Sequence, residues 1–454
     1  MGSKIKGLFH TVEEILHELK RQEEESDENI SDYDPDETCS ETDDVLLLNQ
    51  EDQDGIYDAD DMDEDVGLSY VKEESKKEER RFELGKDLET VWTDKPLVSK
   101  SENTTETRFK KHHVGPKGGA KGLLEERKLF DLFITNEMIE PIVTHSNKEM
   151  EKISSRLGTK QYYTSPTDTL EIKALIGLLY ISAIFKKSGL SSSDMFSPIY
   201  GPPIFRSAMT KNRFDLLLRV LRFDDKETRE DRKATDKFAA FREMWEQFQK
   251  NCLKYYTPSE NLTVDRTLLS FRGKCPFKAY SPIRRDKCGL MTISMCDAMT
   301  FYYLGGVPYI KNEKSKGDLP KAAQYVLELA QPFVGSGRNI TCDSWFSSFE
   351  LVDELLRNKL TMVGSLRKNK QQIPPSMMLE NSTRFLYHPD KMIVSFSPQC
   401  NKHELLISSK HFTNEINRDT SKPKIVEYYN STKGGVDVLN KLCRDKTTRK
   451  RTRR

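Results

Sequence analysis

The sequence carries no CxxC pair, no GxxxxGK[ST] loop and no apolar run long enough to cross a membrane. Its eight cysteines stand apart at 39, 252, 275, 288, 296, 342, 400 and 443, which argues against a zinc ribbon or a disulfide scaffold and leaves reduced, buried thiols as the reading. The longest apolar stretch, Ile172 to Phe185, is 14 residues long and contains Lys173. A span needs about 20, so this stretch is expected to be a core helix. The N-terminus has no apolar run ending at a small-residue cleavage site, which argues against a secretory signal. Hydrophobic residues are scarce as well, at 36% against 32% charged, the balance of a folded body joined to a segment unable to bury a core.

Net charge is also lacking, but only in the sum: 72 Lys and Arg offset 72 Asp and Glu. Residues 1–100 hold 32 acidic and 12 basic side chains, a balance of −20, and residues 101–454 carry the compensating +20. Such asymmetry points to a nucleic-acid partner. Residues 1–124 are expected to be a disordered acidic arm followed by a linker. Within them, SDENISDYDPDETCSETDD cannot order itself by burial, and KKHHVGPKGGAKG reads as linker. The arm is a solvating tail on one reading and a DNA-mimicking screen for the basic body on the other.

From Leu123 the pattern turns helical. Phe130, Phe133, Ile134, Met138 and Ile142 recur at helical spacing, as do Leu170, Leu175, Ile176 and Leu179. Phe238, Phe241, Trp245 and Phe248 read as one core-facing stripe ending before Pro258. RFDLLLRVLRFDD joins an apolar face to Arg213, Arg219 and Arg222, so residues 125–258 are read as a helical unit with a basic surface. From Asn261 the order becomes three strands, helix, strand, helix, strand, over NLTVDRTLLSFRG, GLMTISMCDAMT, TFYYLGGVPYI, AAQYVLELAQPFV, RNITCDSWFSS, FELVDELLRNKL and TMVGSLRKN. This predicts an α/β fold with a mixed sheet covered by helices over 259–370. Residues 371–431, with Pro374, Pro375, Pro389 and Pro398 between the short strands MIVSFSP and ELLISS, read as an inserted subdomain. Residues 432–454 return to the core with GGVDVLNKLCRDK and end in KTTRKRTRR, where RKRTRR suits nuclear import.

Three acids sit where chemistry could use them. Asp265 lies mid-strand, where a buried carboxylate is costly unless it is paired or binds metal. Asp343 follows an apolar strand at its carboxyl end, where open sheets place ligands. Asp437 opens a helix after two glycines, so a capping role is the alternative there.

LTVDRTLLSFRGKCPFKAYSP, GRNITCDSWFSS, LTMVGSLRKNKQQIP and VEYYNSTKGGVDVLNKL, with MTKNRFDLLLRVLRFDD before them, together resemble the piggyBac transposase family over residues 125–454. The resemblance implies an RNase H-like core interrupted by an insertion subdomain and preceded by a helical DNA-binding and dimerisation domain. It implies that Asp265, Asp343 and Asp437, with Asn440 beside them, hold two Mg²⁺ or Mn²⁺ ions for cutting and joining DNA at TTAA targets, because paired metals activate the attacking oxygen and stabilise the leaving one. Carboxylates suit such hard cations. It further implies DNA contacts from Arg272, Lys274, Lys278, Lys287, Arg367 and Lys370, a homodimer, and no small-molecule substrate. The family's cysteine-rich zinc module has no counterpart before Arg454, so no zinc is expected and reading of transposon ends is expected to be weakened.

Departures from the family pattern bear on the chemistry. Arg266 and Thr267 stand where the family reads VDEQ, although strand alternation is expected to send Arg266 to the face opposite Asp265. Asn440 replaces the second acid of GGVDxLD, three residues on and therefore on the same helix face as Asp437. Lys287-Cys288-Gly289-Leu290-Met291 replaces KYGIK and loses an aromatic and a lysine. The expectation is a transposase-derived, nuclear DNA-binding protein with impaired or lost catalysis; the alternative is an active metal-dependent transposase.

Overall fold

The computed structural model describes residues 81–96, 109, 113–156, 161–186, 188–271, 273, 275–280, 288–310, 319–378, 383–399 and 402–449. The acidic arm through residue 80 and the last five residues of the basic terminus lie outside them, as do Arg272, Lys274 and Lys287.

Two short strands come first, β1 (Phe82–Leu84) and β2 (Val91–Thr93), paired antiparallel. A two-residue strand β3 (Gly115–Pro116) leads into helices α1 (Glu126–Phe133), α2 (Asn136–Arg156), α3 (Thr169–Ile184), α4 (Ser192–Met195), α5 (Pro203–Ala208), α6 (Lys211–Val220), α7 (Arg229–Thr235) and α8 (Arg242–Tyr255). Caps fix several starts: the Asp168 carboxylate accepts from Glu171 N at 2.8 Å and Thr210 Oγ1 from Arg213 N at 3.3 Å. Ile139, Ile142, Leu175, Leu178, Phe205, Phe214 and Leu217 make the helical core. At 16 residues α3 is the expected core helix, and no helix among the described residues is long and apolar enough to span a membrane.

Arg213 and Arg222 correct the reading of this unit as a plain basic surface. Arg213 is buried; its guanidinium donates to both Glu171 carboxylate oxygens at 2.6 and 2.5 Å and to the carbonyls of Tyr163 and Ser165 at 2.7 Å. Burial alone would raise the Glu171 carboxyl, but the hydrogen bonds from Arg213 and Thr167 prevail and hold it below its ordinary value. Arg222 pairs with Glu149 at 3.0 Å. Of the three arginines, Arg219 is the exposed one.

The sheet then forms from β4 (Tyr256–Thr257, which pairs with β3), β5 (Asn261–Ser270), β6 (Lys278–Tyr280), β7 (Cys288–Asp297) and β8 (Tyr303–Pro308), helix α9 (Lys321–Ala330), β9 (Asn339–Cys342), helix α10 (Phe349–Arg357) and β10 (Thr361–Ser365). β11 (Arg384–Tyr387), β12 (Met392–Gln399) and β13 (Lys402–Ser408) follow, then helices α11 (Lys424–Thr432) and α12 (Gly435–Asp445). The order β8-β7-β5-β9-β10 has an antiparallel meander on one side and parallel strands β5, β9 and β10 in the middle. That is the predicted strand and helix sequence. β9 is buried throughout, as a parallel strand covered on both faces must be, and α9 and α10 contribute Val326, Leu351, Val352 and Leu355 to the core.

Two stretches join the sheet beyond what the sequence suggested. β13 pairs antiparallel with β10 and carries β12 and β11 onward, so the strands of 371–431 extend the main sheet rather than standing apart. The β1–β2 hairpin, inside the stretch read as linker, adds to the far edge through Thr93 opposite Tyr387. Its anchor is Trp92, wholly buried, with Nε1 donating to the Gln372 carbonyl at 2.8 Å. One tryptophan among charged residues does this work, too little signal for periodicity to detect.

Candidate functional site

The parallel registers align three strands at one level. Val264 of β5 sits opposite Cys342 of β9, and Cys342 opposite Gly364 of β10. The next residue on each is Asp265, Asp343 and Ser365, so the three form a row at the carboxyl side of the parallel strands, where such sheets bind ligands.

α11 and α12 bring the third acid to this row. Thr263, two residues before Asp265 and so on the same face, donates Oγ1–H to the Thr432 carbonyl at 2.5 Å. Thr341 of β9 shares a 2.8 Å hydrogen bond between its Oγ1 and that of Thr432. The end of α11 is thereby pinned to both strands. α12 then starts against the sheet: a Cβ on Gly435 would lie 2.8 Å from Thr263 Oγ1, so the close approach requires glycine. Gly434 is the residue before α12, which makes Asp437 the third helical residue and not its cap. Asp437 is exposed at the rim, while Asp265 and Asp343 are half-buried.

The carboxylates sense one another. Burial, then the negative charges of Asp343 and Asp437, push the Asp265 carboxyl up to about 6, against the opposing pull of the Arg266 backbone N–H, 2.6 Å from its Oδ1, and of the Arg266 charge. Tyr429 borders the row, with its hydroxyl 3.2 Å from Ser365 Oγ. Its phenol is pushed up to about 12, chiefly by burial and then by the Asp343 and Asp265 charges.

Arg266 is where the sequence expectation fails. Alternation along β5 does separate it from Asp265, but β9 ends at Cys342, so Asp343 is no longer held by the sheet. The arginine reaches it there: Nη2 lies 3.2 Å from Asp343 Oδ2, with the two side chains 34% and 32% exposed. The guanidinium also lies 5.4 Å from the Trp345 ring centroid, and the Trp345 backbone N–H donates to Asp343 Oδ1 at 3.0 Å. Asn440 turns its amide N–H to the Arg266 carbonyl at 3.5 Å.

The described basic residues gather at the same end of the sheet. Arg367 is two residues past Ser365, with Lys370 beyond it, and both are half-buried. Lys278 on β6 pairs with Leu290, itself opposite Leu269, four residues past Asp265. Arg449, the first residue of RKRTRR, donates its guanidinium to Ser270 Oγ at the end of β5, a contact the sequence did not suggest.

A DDE-type family model described as Transposase IS4 matches residues 125–454. Among solved structures, the chain is similar to a piggyBac transposase captured by cryo-electron microscopy in a synaptic complex with hairpin DNA, at 36% identity and a TM-score of 0.72, covering 76% of this chain and 73% of that one. The chain belongs to the piggyBac transposase family. Its mixed sheet is the fold of that family, and its function is transposase-derived.

DDE transposases generally use divalent metals, so the donors can be tested for fit. All three acids offer hard oxygen, and Asp265 is raised by burial first and then by the negative charge of its two neighbours. Yet among the described residues no three His, Cys, Asp or Glu side chains converge closely enough to hold a metal, and the positive charge at Asp343 is supplied by Arg266. As arranged, Asp343 carries a protein cation where the family's metals need a free carboxylate. Sequence reasoning also missed Thr263, Thr341 and Thr432. The signal was there, since each strand threonine stands two residues before an aspartate, but its partner lies on a distant helix.

Proposed function

We propose that this piggyBac family member is a nuclear, transposase-derived DNA-binding protein whose strand-cutting chemistry is impaired. The observation that carries the reading is the Arg266–Asp343 ion pair, a fixed positive charge on a carboxylate that two-metal chemistry needs unencumbered. Asn440 adds to it by offering an amide in place of a second helical acid. DNA binding is supported by the +20 balance of residues 101–454 and by Lys278, Arg367 and Lys370 at the carboxylate end of the sheet. Lysine and arginine contacts of this kind track phosphate and are blind to sequence. With about four phosphates neutralised, affinity for a labelled duplex should fall roughly a hundredfold between about 50 and 200 mM salt. Weak binding indifferent to salt would overturn the reading.

A second reading, an active metal-dependent transposase acting at TTAA, draws on the gathering of Asp265, Asp343 and Asp437, whose charges add to burial in raising the first of them. Incubating the full chain with a terminal-repeat duplex and Mg²⁺ or Mn²⁺ separates the two. Nicking that Asp343→Ala abolishes would establish the enzyme; intact duplex beside salt-sensitive binding establishes the DNA-binding form.

A further inference from the structure

We infer that Arg266 is a tethered cation at the carboxylate centre, competing with a divalent ion for Asp343. The inference deepens the reading of that centre given above and rests on it. Three observations meet at this side chain. Its guanidinium pairs with Asp343 Oδ2 at 3.2 Å. Its charge is among the influences that lower Asp265, against the two acids that raise it. It also lies over the Trp345 indole at 5.4 Å, while the Trp345 backbone N–H holds the other oxygen of Asp343 at 3.0 Å.

A guanidinium is suited to the post. It is always charged, weakly hydrated, and able to lie on an aromatic face while it pairs with a carboxylate. The Trp345 ring is in turn braced edge-on by Phe346 at 4.6 Å and by Tyr309 at 6.3 Å between centroids, so the arginine rests on a fixed surface. Trp345 therefore positions Arg266, and Arg266 neutralises Asp343 without any dissolved ion. A metal entering the row meets both a repelling charge and a carboxylate already engaged.

Mn²⁺ titrated calorimetrically into the full-length, metal-free chain tests this without DNA or turnover. Arg266→Gln should bind Mn²⁺ about tenfold more tightly than the parent, the scale expected for removing one charge about 5 Å from a divalent ion in a water-exposed setting. The gain should vanish in Arg266→Gln/Asp343→Asn. Equal affinity in parent and Arg266→Gln overturns the inference, and so does a gain that survives the loss of Asp343. A second measurement covers the case in which Arg266→Gln unfolds. In the parent, saturating Mn²⁺ should displace Arg266 and change the Trp345 fluorescence, identified by subtraction of Trp345→Phe; an unchanged Trp345 signal at saturation is equally fatal. Failure of duplex binding would overturn the DNA-binding reading alone, since these titrations contain no DNA.

Discussion

Strands β5 and β7 hold two aspartates, one wholly buried and one half-buried, whose surroundings differ in kind. Asp297, opposite Leu262 where β5 begins, is wholly buried and accepts four hydrogen bonds: from Ser259 N at 2.8 Å, Ser259 Oγ at 2.6 Å, Met299 N at 2.9 Å and the Tyr256 hydroxyl at 3.1 Å. Three residues further along β5, Asp265 accepts from the adjacent Arg266 N–H and faces two like charges, and its carboxyl is pushed up to about 6. The first is buried with its lone pairs satisfied and serves the fold. The second is held in a state the fold alone does not favour, the mark of a group kept for an external or substitute cation. Among acids of one type in one sheet, hydrogen-bond satisfaction separates structure from chemistry better than burial does.

The largest effect should come from breaking the satisfied side. Asp297→Ala takes the acceptor from two backbone N–H groups and two hydroxyls. The Ser259 and Met299 N–H groups each lose a charge-assisted bond worth about 1.5 kcal/mol or more, while the Ser259 and Tyr256 hydroxyls keep the Asn261 carbonyl and Thr300 Oγ1 as weaker partners, so urea unfolding should show a loss of about 4 kcal/mol. A loss under about 1 kcal/mol would erase the distinction between the two sites. Asp265→Asn should act in the opposite direction. The folded carboxyl of Asp265 is raised above its ordinary 3.8, so the folded state holds its proton more tightly than the unfolded chain does. Its contribution to stability is therefore present in full below pH about 4 and lost as pH climbs through about 6, at a cost of about 3 kcal/mol. Asp265→Asn should match the parent near pH 4 and exceed it by about that amount at pH 7.5. If the parent's stability does not fall over that window relative to the variant, neither burial nor the neighbouring charges hold Asp265 above its ordinary range.

How far this arrangement was legible in the sequence follows from the reach of local rules. The meander and the helix–strand alternation were readable because each element is long enough to show its period, and Asp343 was placed correctly because RNITC is an uninterrupted apolar strand with the acid after it. Period fails where an element stops. Alternation put Arg266 away from Asp265, which is true within β5, but Asp343 lies beyond the end of β9 and a long side chain can reach it. Distance along the chain hides the rest. Arg213 looked like surface charge because Glu171, its partner, is 42 residues earlier, and the β1–β2 hairpin looked like linker because its sheet partner Tyr387 is nearly three hundred residues later. The acidic arm, Arg272, Lys274 and Lys287 lie outside the described residues.

The smallest expected effect tests how the unsatisfied side is assembled. Thr263 Oγ1 donates to the Thr432 carbonyl, and through it the end of α11 is fixed so that α12 can present Asp437 beside Asp265. Thr263→Val keeps the shape but leaves that buried carbonyl without this donor, at a cost of about 1 kcal/mol in urea unfolding. Thr341 still holds Thr432 through its own hydroxyl at 2.8 Å, so the helix should stay docked with its register loosened. The informative readout is electrostatic. With Asp437 less closely held, one of the two charges raising Asp265 weakens, and the pH at which the parent loses stability should move down from about 6 toward the ordinary carboxylate range. Asp265 would then drift toward ordinary carboxylate behaviour, while the four hydrogen bonds that Ser259, Met299 and Tyr256 give Asp297 should be untouched. A Thr263→Val chain that loses stability yet keeps the parent's pH midpoint would mean that the threonine anchors the helix for the sake of the fold, and that the gathering of the three acids depends on the close approach at Gly435 instead.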